Sequence, residues 1–180
     1  MQKKHFSLSA NPARVITGSF LGVIITGTLL LMLPLSAKNG AVTNFFDALF
    51  TATSATCVTG LIVVDTYTHW TFFGQGVILS LIQIGGLGLV TLTLFFNLLI
   101  RRKLGLRTLQ LAQESTSASN FEDTPRLLRG IVGISLTVEA IGAVLLLPAF
   151  VPKYGMEGIF ISVFTSVSAF CNAGFDLLGR

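Results

Sequence analysis

Apolar residues dominate this chain in blocks too long and too continuous for the alternation of a strand or the single stripe of a surface helix. Three blocks stand out: Ala13–Leu33 with 21 residues, Gly74–Ile100 with 27, and a third over about Arg129–Leu147. A helix needs about 20 apolar residues to cross a bilayer, so each is predicted to span one. Punctuation fits that reading. Asn11-Pro12 supplies an N-cap followed by a proline at the first helical position, where the missing N–H costs nothing. Pro34 is expected to end the first span by removing a backbone bond, and Arg101-Arg102-Lys103 to close the second. Thr124-Pro125 repeats the opening signal before the third span, and Pro148 is expected to end it. The second span exceeds the required length, so tilt or projection beyond the bilayer is expected. The connections are short. Lys38-Asn39-Gly40 reads as a turn, Val151–Glu157 as an outer loop, and Tyr67, Trp70, Phe72 and Phe73 as an aromatic interface belt.

Two stretches break the pattern. Asn44–Asp65 reads NFFDALFTATSATCVTGLIVVD. Its first half, Phe45–Ala55, suits a helix with Thr43 or Asn44 as N-cap and Asp47 in the first turn, but its 11 residues reach only about 16 Å. A hydrocarbon core is about 30 Å thick. The second half, Thr56–Leu61, is small and β-branched and carries a glycine, which suits irregular backbone. Such backbone at membrane depth is tolerated only where it lines a polar cavity or is buried in protein. A re-entrant pore loop satisfies these conditions. Gly158–Gly179 is a second short apolar segment with the same kind of ending.

These two segments repeat one another. With an offset of 114 residues, FTATSATCVTGL (50–61) aligns with FTSVSAFCNAGF (164–175), and six of the twelve positions are identical. The identities include Cys57/Cys171 and Gly60/Gly174, and the same offset pairs Pro34 with Pro148. A span out, a loop and a span back return the chain to its starting side. Both loops therefore enter from the same face, as parallel repeats. The predicted fold is an all-α integral membrane protein of repeated helix–pore loop–helix units, about one and a half of them. Residues 1–103 form the first unit, 104–128 a cytoplasmic linker, and 129–180 a second unit cut off after its pore loop.

Composition narrows the class. The chain is 52% hydrophobic and only 11% charged, against about 25% charged in soluble domains. Nine of its 12 basic residues lie at 3–14, before or at the very start of the first span, or at 101–129. By the positive-inside rule these regions are cytoplasmic, which predicts a multi-pass plasma-membrane protein with a cytoplasmic N-terminus. The first apolar run is longer than a signal-peptide core of about 7–15 residues, and a retained span is expected. A net charge of +4 distributed in this way does not predict a nucleic-acid surface.

The chemistry concentrates at the loops. A dehydrated cation needs partially negative oxygens, and backbone carbonyls supply them without a fixed charge in the membrane. The short helix contributes the negative end of its dipole, and glycine permits the dihedrals that turn carbonyls inward. Thr56–Gly60 and Phe170–Gly174 contain no Lys, Arg, Asp or Glu, which favours a monovalent cation. Cys57 and Cys171 form no CxxC or metal motif and are expected to pack behind the loops. Gly85, Gly86 and Gly88 sit in an apolar helix and are expected to allow close packing rather than to bind a nucleotide. Glu139 is an intramembrane carboxylate. It is read as paired with a polar group on another helix, with a place near the ion path or near the interface as the alternatives. Asp65 and Asp176 near the outer mouth either attract cations or are ordinary loop charges. The 101–129 basic cluster sets topology or meets a partner. No nucleophile–His–carboxylate set is present, and an enzyme is not expected.

ATSATCVTGL, SAFCNAGFDLLG and IQIGGLG together resemble the Trk/Ktr/HKT superfamily of potassium transporters, and most closely the bacterial Ktr-type membrane subunit. The resemblance covers nearly the whole chain. It implies four repeats in one polypeptide around a pseudo-fourfold pore. Val58, Thr59 and Gly60, with Asn172, Ala173 and Gly174, would give K⁺-coordinating carbonyls. It also implies K⁺ uptake, in some members Na⁺-dependent, with no other cofactor in this subunit. A homodimer of pore subunits and a cytoplasmic nucleotide-binding regulatory ring are the implied partners, alongside membrane lipid. The alternatives are a Na⁺ or other monovalent-cation channel of the same architecture and a broken-helix solute transporter.

Overall fold

The computed structural model describes residues 12–103 and 124–179, with side chains described over 17–88 and 130–179. The predicted cap at Asn11 and the linker 104–123 lie outside the described residues. Among the described residues six helices follow in order: α1 (Pro12–Leu31), α2 (Phe45–Thr56), α3 (Thr66–His69), α4 (Phe72–Lys103), α5 (Thr124–Tyr154) and α6 (Glu157–Phe170). Within α5, Gly130–Tyr154 is long and apolar enough to cross a membrane. At 12 and 14 residues, α2 and α6 reach only about 18 and 21 Å.

α2 packs between α1 and α4, α6 packs along α5, and α4 also touches α6. The packing face of α2 explains its position. Ala48, Ala52 and Ala55 are fully buried and Thr51 nearly so, a spacing of three and four residues that places them on one helix face. Small side chains there let the helix axes approach closely. On the outward face, Phe46 is 74% exposed. Asn44 is the N-cap, its side chain accepting from the Phe46 N–H at 3.0 Å, and Asp47 lies in the first turn.

The two prolines expected to end helices behave differently. α1 stops at Leu31, and Pro34 has no N–H to offer the Leu30 carbonyl. That carbonyl accepts instead from the Leu33 N–H at 3.3 Å and from the Ser36 hydroxyl at 2.6 Å, so the chain can leave the helix. α5 instead runs through Pro148 and Pro152 to Tyr154. This corrects both the predicted end at Pro148 and the outer loop at 151–157, which shrinks to a turn at Gly155 (φ 61°) and Met156. The counterpart of Ser36 at the 114-residue offset is Phe150, which has no hydroxyl to cap the freed carbonyl. Continuing the helix leaves fewer unpaired groups.

The aromatic belt needs a correction too. Phe72 is 69% exposed, but Trp70 is fully buried. Its backbone pairs with Ala37 in an isolated antiparallel bridge, bracketed by Lys38 N–H to the His69 carbonyl and Thr71 N–H to the Ser36 carbonyl, each at 2.9 Å. Gln75 is also buried, and donates to the Trp70 carbonyl at 3.1 Å. The bridge pins the connection onto the top of α4, and burial of the indole follows from it.

Candidate functional site

Each short helix ends in the same backbone arrangement. After α2, Cys57 is the last right-handed residue (φ −86°, ψ 0°), followed by Val58 at φ 57° and Gly60 at φ 74°. After α6, Cys171 (φ −74°, ψ −7°) is followed by Asn172 at φ 58° and Gly174 at φ 73°. The hydrogen bonds match as well. Thr59 N–H donates to the Ser54 carbonyl at 3.0 Å and Val58 N–H to Ala55 at 3.3 Å, while Ala173 N–H donates to Ser168 at 2.7 Å and Asn172 N–H to Ala169 at 3.0 Å. This pairing is a Schellman closure, in which the left-handed residue just past the helix is normally glycine and sometimes asparagine. Asn172 suits that position. Val58 does not, since a β-branched residue at positive φ is strained, a condition that concentrates at functional sites.

Side chains tie each loop to its helix. The Ser54 hydroxyl lies 3.0 Å from that of Thr59, and Ser168 Oγ donates to the Phe175 carbonyl at 2.6 Å. These serines are an identical pair in the repeat.

The two loops meet. A Cβ on Gly60 would lie 2.5 Å from the Ala173 carbonyl oxygen, and one on Gly174 would lie 3.3 Å from the Gly60 Cα. α4 supports both. A Cβ on Gly85 would collide with the Thr56 carbonyl, and one on Gly86 with Cys171 Sγ. The expected packing role of these glycines is therefore seen in their contacts. Cys171 is half-buried there, but Cys57 is exposed, which corrects its predicted place behind the loop: the turn that follows α2 points it outward. A groove of about 770 Å³ between α1 and α4 contains no charged side chain and none of the loop residues, so it is not where the loops' chemistry lies. Among the described residues no group of three or more His, Cys, Asp or Glu side chains could hold a metal ion.

Glu139 is 5% exposed. Gln83 Nε2 on α4 donates to both of its carboxylate oxygens, at 3.0 and 3.1 Å. The expected polar partner on another helix is thus a glutamine that lay in plain view in the second span. Asp65 caps α3, accepting at 2.7 Å from both the backbone N–H and the hydroxyl of Thr68. Partial burial pushes its carboxyl pKa up. The bonds from Thr68 and the Tyr67 N–H, helped by the Lys38 charge, outweigh that and hold it below the ordinary value. Asp176 accepts from the Leu178 N–H at 3.0 Å. Both aspartates therefore shape the backbone of the connections they sit in. Sequence reading missed Tyr67 as a bridge between the two halves. Its hydroxyl donates to Glu157 at 3.2 Å, and Lys38 Nζ lies 4.3 Å from its ring centroid. Nothing local in the sequence marks a contact 90 residues apart.

Two short helices ending in matched loops are set against longer helices, and among the described residues one of these, α5, holds a stretch long and apolar enough to cross a membrane. The family description "TrkH: Cation transport protein" matches residues 2–180, and the chain belongs to that family. It is 39% identical over 180 residues to the potassium/sodium uptake protein NtpJ of Enterococcus hirae, covering 99% of this chain and 40% of that protein. It is 44% identical over 167 residues to the Ktr system potassium uptake protein B of Bacillus subtilis, covering 92% and 37% respectively. To the Ktr system potassium uptake protein B of Vibrio alginolyticus it is 44% identical over 165 residues, covering 91% and 36%. The chain thus spans about two fifths of the length of the curated relatives it matches.

Proposed function

We propose that this chain forms part of the pore of a potassium uptake system, with the carbonyls of Val58, Thr59, Gly60, Asn172, Ala173 and Gly174 contributing to its selectivity filter. The observation that carries this reading is the matched pair of loops in contact, with positive φ at alternate residues, 58 and 60 in one and 172 and 174 in the other. Extended backbone points successive carbonyls to opposite sides. Reversing the handedness of alternate residues turns them toward a common side, as coordination of a dehydrated cation requires. The uncharged sequence of both loops favours a monovalent ion. Relatives named for potassium uptake support K⁺, and the potassium/sodium name of another makes Na⁺ the second ion to test.

In this reading residues 1–103 are a helix–pore loop–helix unit and 129–180 the helix and pore loop of the next, joined by a cytoplasmic linker, in a plasma-membrane protein with a cytoplasmic N-terminus. The "Ktr system" names of the relatives suit a component of a larger assembly. We take that assembly to be a homodimer of pore subunits on a nucleotide-binding regulatory ring. The test is uptake of Rb⁺ and Na⁺ by the complete polypeptide carrying Gly60→Ser or Gly174→Ser. A fall in Rb⁺ preference in at least one variant is expected. Unchanged preference in both would remove the filter assignment.

A further inference from the structure

Glu139 is the one carboxylate in the Gly130–Tyr154 span, and a charge at such depth is costly and rarely idle. Its partner among the described residues is the Gln83 amide, with no basic side chain found against it. The Glu139 backbone carbonyl also accepts from Ser166 Oγ at 2.7 Å. One turn further along α5, a Cβ on Gly142 would collide with that same hydroxyl. The cluster therefore sits where α4, α5 and α6 come together.

Its neighbours along each helix are the loop supports. Gln83 precedes Gly85 and Gly86, which lie against Thr56 and Cys171, and Ser166 precedes Ser168, which is tied to the Phe175 carbonyl. A slide of α4 past α5 would shift both loops against their support. Apolar packing resists separation of two helices but resists such sliding weakly, whereas two directional hydrogen bonds fix the register. Buried ionic groups are often no more stabilising than apolar ones of similar volume, so stability alone does not explain this pair.

We infer that Gln83 and Glu139 are positioning residues for ion selection: their hydrogen bonds hold α4 in register with α5 and so set both loops at their coordinating distance. This rests on the proposed filter role of the loops. The test uses the complete polypeptide in proteoliposomes, with apparent KM, maximal rate and the K⁺/Na⁺ ratio measured. In the Gln83→Leu/Glu139→Leu pair the ratio is expected to fall by about 2- to 30-fold, the range of ordinary coupling between packed elements. The exchanged pair Gln83→Glu/Glu139→Gln, which rebuilds the contact in reverse, is expected to recover it. A wild-type ratio in the leucine pair overturns the inference, as does an exchanged pair no better than Glu139→Leu alone. Failure of both pairs to assemble in the membrane assigns the contact to folding and overturns it too. Gly60→Ser and Gly174→Ser run in parallel separate the two levels. If either moves the ratio and the leucine pair does not, only the positioning role fails; if none of the three does, the filter reading fails with it.

Discussion

Gly60 and Ala173, which lie 113 positions apart, approach so closely that a Cβ on the glycine would stand 2.5 Å from the alanine's carbonyl oxygen. Two loops that end separate helices are thereby in direct backbone contact, with no side chain between them.

This contact is asymmetric, and it predicts unequal effects of equal substitutions. Gly174→Ala meets only the Gly60 Cα at 3.3 Å, and both glycines share a positive φ. Gly60→Ala adds a clash with rigid backbone, which costs about 1–3 kcal/mol when a packed interior is overfilled. Thermal unfolding of the purified complete protein should place Gly60→Ala below Gly174→Ala, both below wild type.

The α4 glycines yield a graded series. Gly85→Ala drives a methyl into the Thr56 carbonyl and should be poorly tolerated, whereas Gly86→Ala meets the Cys171 side chain, which can shift. Gly133→Ala in α5 meets nothing within 4 Å. It should be neutral or stabilising by up to about 1 kcal/mol through helix propensity. Levels of membrane-inserted protein together with melting temperature check the order.

Removing the paired serines should also have unequal results. Ser168→Ala leaves the Phe175 carbonyl without the hydroxyl that serves it at 2.6 Å in a buried setting, a loss of about 1–3 kcal/mol. After Ser54→Ala, the Thr59 hydroxyl can still turn to the residue-54 carbonyl, 3.5 Å away, so the loss should be smaller. Melting temperatures of the two variants check this.

Asp65 predicts an acid-side effect. Its native pKa is held below the ordinary value, so protons bind the unfolded chain more readily. Its contribution is therefore fully present above the ordinary carboxylate pKa of about 4. It fades as the pH falls through the lower native value. In Asp65→Asn this component should vanish. The gap in melting temperature between wild type and variant should be open at pH 7 and should close toward pH 3. A gap independent of pH would contradict the assignment.

How much of this was legible in the sequence depended on how local the cause was. The α2 helix, its Asn44 cap and the irregular residues after Thr56 follow from composition and short-range turn chemistry, and they appear as read. The end of α5 was misread because a proline is a local signal, whereas leaving a helix depends on whether something caps the freed carbonyl. Ser36 does so after Pro34, and Phe150 cannot after Pro148. Trp70 was placed at the interface because an aromatic near a span end usually lies there; its burial comes from a bridge to Ala37 that only the fold creates. Glu139 could be recognised as needing a polar partner, but naming Gln83 required two helices to be set side by side.

The filter assignment is tested most directly by locating the ion. Crystals of the complete protein grown in Rb⁺ should show an anomalous scattering peak within coordinating distance of the carbonyls of residues 58–60 and 172–174, and replacement of Rb⁺ by Na⁺ should remove it. Rb⁺ density at side-chain carboxylates or in another cavity, with none against these carbonyls, would contradict the account.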